Sequence, residues 1–150
     1  MKLLLAIDIH HPDALAVVAE GGRWARSLGG TLDLVFVDDE PTDAAYGIRD
    51  PEIQRMVVQS WGRIQDHHRA ALEDMVETLE EDVRGRARYV QGQKTHEEIV
   101  AIASGYQAVL VFTHGRRGLS HLFMGSVSER LVRHADVPVM VLRLQQAMSA

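Results

Sequence analysis

The residues from Gly125 to Ser128 place a glycine and two hydroxyl side chains directly before a pattern typical of a helix. The first N–H groups of a helix have no intrahelical partner and carry partial positive charge, so they attract anions. Gly125 would let a ligand approach the backbone, and the hydroxyls of Ser126 and Ser128 would add donors. Arg116 and Arg117 bring positive charge nearby. This combination suits a phosphate chain, although the same residues could equally serve only to shape a turn and cap a helix.

Two apolar strands are predicted on either side of this segment. The run AVLVF at 108–112 is continuous and rich in β-branched residues, as in a strand buried on both faces. A second apolar strand is predicted between Val137 and Leu142. The helix between them should begin with Ser126 as its N-cap, in a capping box with Glu129. This βαβ unit places its glycine-containing loop at the carboxyl end of a strand, where open α/β sheets bind ligands.

Three short segments carry a further pattern, namely His114-Gly115, GSVSER at 125–130 and ADVPV at 135–139. They resemble the universal stress protein family, and the resemblance extends over the whole chain. The nucleotide-binding branch of that family has a motif of Gly, two residues, Gly, nine residues, Gly, and then Ser or Thr. Gly115, Gly125 and Ser126 match the second glycine, the third glycine and the hydroxyl. Phe112 stands where the first glycine is expected.

The resemblance implies an adenine-nucleotide site with ATP and Mg²⁺ as its ligands. Asp8, after the first predicted strand, matches the family's aspartate near the ribose and a bound metal. Val37 is the nearest match to the residue that contacts the adenine, although it could equally well only pack in the core. The other positions implied for the nucleotide are Val111, Phe112, Gly115, Gly125, Ser126, Val127 and Ser128.

The ring of Phe112 leaves two functional classes open. It could fill the crevice beside the ribose and exclude ATP, or turn into the core, where a large apolar group is favoured. The first class is an ATP-binding stress-response module, without dedicated catalysis and at most slow in hydrolysis, because no general base is evident. The second is a regulatory or scaffolding homodimer of the same family that binds no nucleotide. A hydrolase acting on an adenine nucleotide is a third candidate.

Strands and helices alternate along the chain, which predicts one doubly wound α/β domain over residues 1–150, with a parallel sheet covered by helices on both faces. The resemblance implies five strands in the order 3-2-1-4-5, a Rossmann-like fold of the adenine nucleotide alpha hydrolase type. The first helix is predicted to bury Leu15, Val18, Ala19 and Trp24. A long helix from Pro51 to about residue 82 is predicted to bury a stripe made of Val57, Trp61, Ile64, His68, Leu72, Met75 and Leu79.

Composition narrows the partners. The formal net charge of −5 argues against a general nucleic-acid binder. No apolar run approaches the roughly 18 residues that a membrane helix needs, and the apolar start is too short for a signal peptide, so we expect a cytoplasmic protein without a membrane span. The last strand, from Val137 to Leu142, would be an exposed apolar edge in a monomer. Similar proteins pair this strand across a two-fold axis, which implies a homodimer.

The segment from Asp8 to Asp13 carries side chains that metal ions use, with His10 and His11 between the two carboxylates. Adjacent histidines in a short turn rarely both point at one ion, although His and Asp are common zinc ligands. The sequence therefore favours a solvent-exposed entry to the first helix over a transition-metal site.

Overall fold

The chain folds as alternating strands and helices in a computed structural model that describes residues 1–38, 47–113 and 125–144. Within these ranges there are five strands and four helices. The strands are β1 (Lys2–Ala6), β2 (Thr31–Asp38), β3 (Arg84–Gln91), β4 (Ala108–Thr113) and β5 (Val139–Arg143). The helices are α1 (Ala14–Ser27), α2 (Pro51–Glu77), α3 (Thr95–Ala103) and α4 (Ser126–His134).

The strands form one parallel sheet in the order β3-β2-β1-β4-β5. The predicted fold class and strand order are confirmed. All six residues of β4 are buried, as its continuous apolar run predicted. In a parallel sheet the carboxyl ends of neighbouring strands share one edge, so β2, β1 and β4 end side by side.

Alternate residues of each strand point to opposite faces of the sheet, which divides the core into two layers. Leu5, Phe36 and Phe112 face α1 and α2, where they join one buried cluster. Val37 and Val111 belong to a second buried cluster, on the face that α3 and α4 cover. The two helix layers therefore meet the same strands from opposite sides, as the doubly wound prediction required.

Helix α1 packs on the sheet through small residues, and the predicted apolar face is wrong except at Val18. Its buried residues are Ala14, Val17, Val18, Gly21, Gly22 and Ala25, while Leu15 and Trp24 are exposed. A Cβ at Gly21 would lie 2.9 Å from Leu5 Cδ2. The helix approaches the sheet so closely that glycine is the residue that fits, and a hydrophobicity pattern does not register glycine as a core residue.

Helix α2 is covered by the sheet only in its second half. Leu72 and Val76 are its buried residues, and Leu79 is buried just beyond its end. Val57 and Ile64, which the predicted stripe places in the core, are exposed. The predicted stripe is therefore wrong at Val57 and Ile64, whereas Trp61 is half-buried and Leu72 and Leu79 are buried as predicted.

Strand β5 begins at Val139, two residues later than predicted, so Val137 lies outside it. The carbonyl oxygen of Pro138 accepts a hydrogen bond of 2.9 Å from the backbone N–H of Val109. Proline has no N–H to donate in return, which limits its part in a strand ladder. Among the described residues, no helix has the length and apolar character needed to cross a bilayer.

A buried carboxylate holds the amino ends of the strands together. Asp33 in β2 is buried, and its Oδ1 accepts a hydrogen bond of 2.7 Å from the backbone N–H of Arg86. Its Oδ2 accepts one of 2.5 Å from the hydroxyl of Tyr106. The register between β2 and β3 shifts between Leu32 and Leu34, opposite Gly85, so Asp33 satisfies a backbone donor at an irregularity of the ladder.

Candidate functional site

A cavity of about 580 Å³ opens at the carboxyl ends of β1, β2 and β4, beside the first turn of α4. Its size lies within the usual range of small-molecule sites, roughly 300 to 1,000 Å³. The position is the one that the sequence predicted from the βαβ unit. The cavity runs from the start of α4, past the end of β1, to the end of β2.

The structure brings together every predicted site residue that it describes. Those that line the cavity are Asp8, Val37, Val111, Phe112, Gly125, Ser126, Val127 and Ser128. Gly115, predicted as the second glycine of the motif, lies outside the described residues, as do Arg116 and Arg117. The residues come from β2, from β4, from the turn after β1 and from the start of α4, so only folding places them side by side.

The N-terminus of α4 differs by one residue from the predicted cap. Gly125 is the N-cap, Ser126 is already the first helical residue, and no side chain caps the helix. The predicted capping box is therefore wrong, and the carboxylate of Glu129 instead pairs with Arg133 at 2.8 Å. In α3, similarly, Lys94 is the N-cap and Thr95 is the first helical residue. The first N–H groups of α4, which have no partner within the helix, lie at the edge of the cavity that Gly125 and Ser126 line.

Nothing in the local structure requires a glycine at position 125. Its φ of −60° and ψ of 159° are ordinary for any residue. A Cβ added at this position would meet no atom of the described residues within 4 Å. Neither the backbone conformation nor the packing therefore requires a glycine at position 125. The open space beside its Cα is part of the cavity.

Phe112 lies with its ring in the core. It is 7% exposed and belongs to the cluster between the sheet and helices α1 and α2, where it also borders the cavity. The cavity keeps its volume of about 580 Å³ with this ring in place. Of the two alternatives left open by the sequence, the structure supports the one in which the ring turns into the core.

The turn after β1 lines the middle of the cavity. The Oδ1 atom of Asp8 accepts a hydrogen bond of 3.0 Å from the backbone N–H of His10, which fixes the carboxylate at the cavity wall. The Nδ1 atom of His11 accepts one of 3.1 Å from the N–H of Asp13. Within residues 1–38, 47–113 and 125–144, no group of three or more acidic, histidine or cysteine side chains is arranged to hold a metal ion.

The sequence interpretation missed a polar cluster at the end of β2. Asp38 is 8% exposed and lines the cavity. Its Oδ2 atom accepts a hydrogen bond of 2.5 Å from the Tyr89 hydroxyl and lies 2.8 Å from His68 Nδ1. Burial, together with the hydrogen bond to Asp38, raises the pKa of Tyr89 to about 12. The signals in the sequence were a carboxylate directly after Val37 and a histidine, His68, on the apolar stripe predicted for α2.

The aromatic rings of His10 and Phe36 complete this cluster. The centroid of the His10 ring lies 4.7 Å from that of the His68 ring and 5.7 Å from that of the Phe36 ring, and both contacts are edge to face. His10 itself lines the cavity, whereas Asp38 reaches it from the sheet. Within the described residues, both side-chain contacts of the Asp38 carboxylate are made through Oδ2.

Comparison with known proteins decides the family. The family model described as the universal stress protein family matches residues 1–143. The chain belongs to the universal stress protein family. A segment of 50 residues is 36% identical to universal stress protein MJ0577 of Methanocaldococcus jannaschii. That match spans 32% of this chain and about a third (31%) of the relative.

Solved structures show the same fold over nearly the whole chain. That of MJ0577 superposes with a TM-score of 0.66 at 21% identity, covering 97% of both chains. A universal stress protein in complex with cAMP gives 0.60 at 16% identity, covering 97% of this chain and 98% of that one. The Archaeoglobus fulgidus protein in complex with dAMP superposes with a TM-score of 0.57 at 17% identity, covering 94% of this chain and 96% of that one. At these identities the likeness establishes the fold, and the nucleotides belong to those relatives.

Proposed function

We propose that this universal stress protein binds an adenine nucleotide, ATP with Mg²⁺, in the cavity at the carboxyl edge of its sheet. The observation that carries the proposal is the start of α4, where an uncapped helix N-terminus and open space beside Gly125 face that cavity. Two relatives of the same fold were solved with cAMP and with dAMP, which supports the choice of an adenine nucleotide.

The phosphate chain would lie at the N-terminus of α4. The unpaired N–H groups of the first turn and the helix dipole both favour an anion. The hydroxyls of Ser126 and Ser128 border the same space and can donate to phosphate oxygens. Because Gly125 has no side chain, a phosphate can reach the backbone N–H groups directly.

A magnesium ion would be held between the phosphates and Asp8. Mg²⁺ prefers oxygen ligands and in nucleotide sites is bound through one or two carboxylates together with substrate phosphates. Asp8 offers the carboxylate at the mouth of the cavity, between the first turn of α4 and the end of β2. The donor set therefore fits a magnesium nucleotide better than a transition metal, for which a cluster of protein ligands would be required.

The base would lie at the end of β2, beside Asp38. Two strand spacings separate β4 from β2 across β1, about 10 Å in total. A nucleotide with its phosphates at α4 would therefore extend towards β2 with its base. The carboxylate of Asp38, whose contacts within the described residues are made through Oδ2, would accept a hydrogen bond from the 6-amino group of adenine and would repel a carbonyl oxygen at that position.

The proposal is tested by calorimetric titration of ATP with Mg²⁺ into the wild type and Gly125→Val. Valine should fill the space beside the first turn of α4 and abolish measurable binding. Gly62→Val is the matched control. A Cβ added at Gly62 would also meet no atom of the described residues within 4 Å, and Gly62 lies in α2, outside the cavity. A wild-type protein that binds no ATP at millimolar concentration would contradict the proposal and favour the scaffolding alternative.

The edge strand supports a homodimer as a second part of the proposal. β5 has one neighbour, β4, within the described sheet, and Val141 is exposed on it. An unpaired apolar edge favours association with another strand, here that of a second copy across a two-fold axis. Val141→Lys should shift the sedimentation of the protein towards monomer. A wild type that is monomeric at micromolar concentration would contradict this part.

A further inference from the structure

The first half of α2 carries an apolar stripe that the fold leaves uncovered. The exposed fractions are 51% for Ile53, 65% for Met56 and 41% for Ile64, with Val57 also exposed. The helix has 27 residues and is therefore about 40 Å long. Only Leu72 and Val76, both in the second half, are buried. Exposed apolar residues concentrated in this way mark an interaction surface.

The spacing of these residues defines a seam suited to another helix. Ile53, Val57, Ser60 and Ile64 are separated by four, three and four residues, so they lie along one side of α2 with the repeat of a coiled coil. Ser60, near the middle, is small and would allow two helices to approach closely. Met56 lies next to this seam.

We propose that this stripe is the contact surface for a second copy of the chain, with the two α2 helices packed antiparallel across a two-fold axis. Eleven residues complete about three helical turns, so Ile53 and Ile64 lie on the same side of the helix. A two-fold axis midway between them places Ile53 of each copy against Ile64 of the other. Val57 then meets Ser60 of the second copy near the axis.

The charges beside the stripe are complementary in the same arrangement. Glu52 and Arg63 are also eleven residues apart and lie on one flank of the stripe, and both are exposed. The same two-fold axis, which places Ile53 of each copy against Ile64 of the other, also brings Glu52 of each copy beside Arg63 of the other. Two opposite-charge pairs therefore form together with the apolar contact, and a parallel pairing would lose both.

The charge of the segment favours a second copy over a membrane surface. Residues 51–66 contain Glu52 and Asp66 against Arg55 and Arg63, which sums to zero. Helices that lie on membranes are usually rich in Lys and Arg on their polar face. A stripe with no net charge, on a chain with net charge −5, instead allows the same surface to meet itself without repulsion.

The surface is independent of the edge strand. α2 contacts β3 and β2, whereas β5 forms the opposite edge of the sheet. Association through α2 is therefore measured in a Val141→Lys background, in which pairing of β5 is disrupted. Self-association that persists there cannot come from the edge strand, so this inference and the proposed β5 dimer succeed or fail separately.

The first test is a charge exchange followed by sedimentation velocity over a series of protein concentrations. Glu52→Arg alone and Arg63→Glu alone should each weaken self-association, and the double variant should restore it. Arg55→Glu is the matched control, since it makes the same change as Arg63→Glu on the side of α2 away from the stripe. Equal effects of Arg55→Glu and Arg63→Glu, or no recovery in the double variant, would overturn the antiparallel arrangement.

The second test uses the absence of cysteine from the sequence. Ser60→Cys introduces a single thiol beside the expected two-fold axis, and a short bifunctional thiol reagent should convert the protein to a covalent dimer. Gln59→Cys, one residue away but off the stripe, should give little dimer under the same conditions. Folding of each variant is checked by circular dichroism. Equal cross-linking at both positions, or none at position 60, would refute the proposal.

Discussion

Asp38 and Tyr89 are joined by a hydrogen bond of 2.5 Å from the phenol hydroxyl to Oδ2, on the carboxyl ends of adjacent strands. His68 lies 2.8 Å from the same oxygen, so one side of the carboxylate is held from two directions. Side chains fixed by such neighbours keep their geometry when a ligand enters. These two contacts therefore fix the orientation of the Asp38 carboxylate at the wall of the cavity.

This orientation predicts a preference for a base with a 6-amino group. Inosine triphosphate differs from ATP by a carbonyl oxygen in place of that group, and Asp38 would face it with an acceptor. We expect ATP to bind roughly tenfold more tightly, equivalent to one lost hydrogen bond of about 1.4 kcal/mol. Asp38→Asn should reduce this preference for ATP over inosine triphosphate, because an amide can also donate a hydrogen bond. Asp136→Asn is the control and should leave the preference unchanged. If the wild type bound ATP and inosine triphosphate with equal affinity, Asp38 would not recognise the base, although the protein would still bind a nucleotide.

The amino ends of the strands depend on the missing side chain at Gly85. A Cβ there would lie 2.5 Å from the carbonyl oxygen of Leu32 and closer still to Oδ1 of Asp33. Gly85→Ala should therefore lower the free energy of unfolding by about 2 to 4 kcal/mol, since backbone and a buried carboxylate must move. Gly62→Ala has free space and sits inside α2, so it should instead stabilise by up to about 1 kcal/mol. Urea denaturation measures both, and similar effects at the two positions would contradict the clash.

The pH dependence of stability should show the ionisation of Tyr89, which is partly buried, and of Tyr106, which is buried. Burial and hydrogen bonds to Asp38 and Asp33 raise the pKa of Tyr89 and of Tyr106, each to about 12 from 10.0. Between pH 10 and 12 the unfolded chain loses protons that the folded chain keeps, so the free energy of unfolding falls as pH rises. Below pH 10 both states are protonated, and the contribution is fully present.

The measurement is urea denaturation at several alkaline pH values, with tyrosine ionisation followed by ultraviolet absorbance in a Tyr46→Phe background. Tyr106→Phe should remove one part of the alkaline loss of stability, and Tyr89→Phe the other. Ionisation of both remaining tyrosines near pH 10 in the folded protein would show that neither phenol is held as described.

Fold class and strand order were predictable because they follow from alternating apolar segments and from a family resemblance over the whole chain. The packing of α1 was not, because Gly21 and Gly22 are buried through close approach, which hydrophobicity does not encode. The exposed half of α2 escaped prediction for the opposite reason: its apolar periodicity is real, but the fold brings no sheet to cover it.

The candidate site was predictable where it follows the chain and not where it depends on distant pairs. Gly125, Ser126 and Ser128 are close together in the sequence, so the start of α4 could be predicted to within one residue of its N-cap. Asp38 and His68 are separated by 30 residues and meet only through the packing of α2 on the sheet. A local motif carries no information on such a contact.

The ring of Phe112 provides the last prediction. Because it packs among core residues of α1 and α2, Phe112→Gly should destabilise the protein by about 3 to 5 kcal/mol or somewhat more, since it removes a buried aromatic and adds backbone freedom. Phe112→Leu keeps an apolar side chain and should cost less. If the ring leaves the cavity open, neither change should tighten ATP binding by as much as tenfold. Thermal unfolding and calorimetric titration of both variants provide the check. Tight ATP binding gained by Phe112→Gly, with Phe112→Leu intermediate, would show instead that the aromatic ring obstructs the ligand.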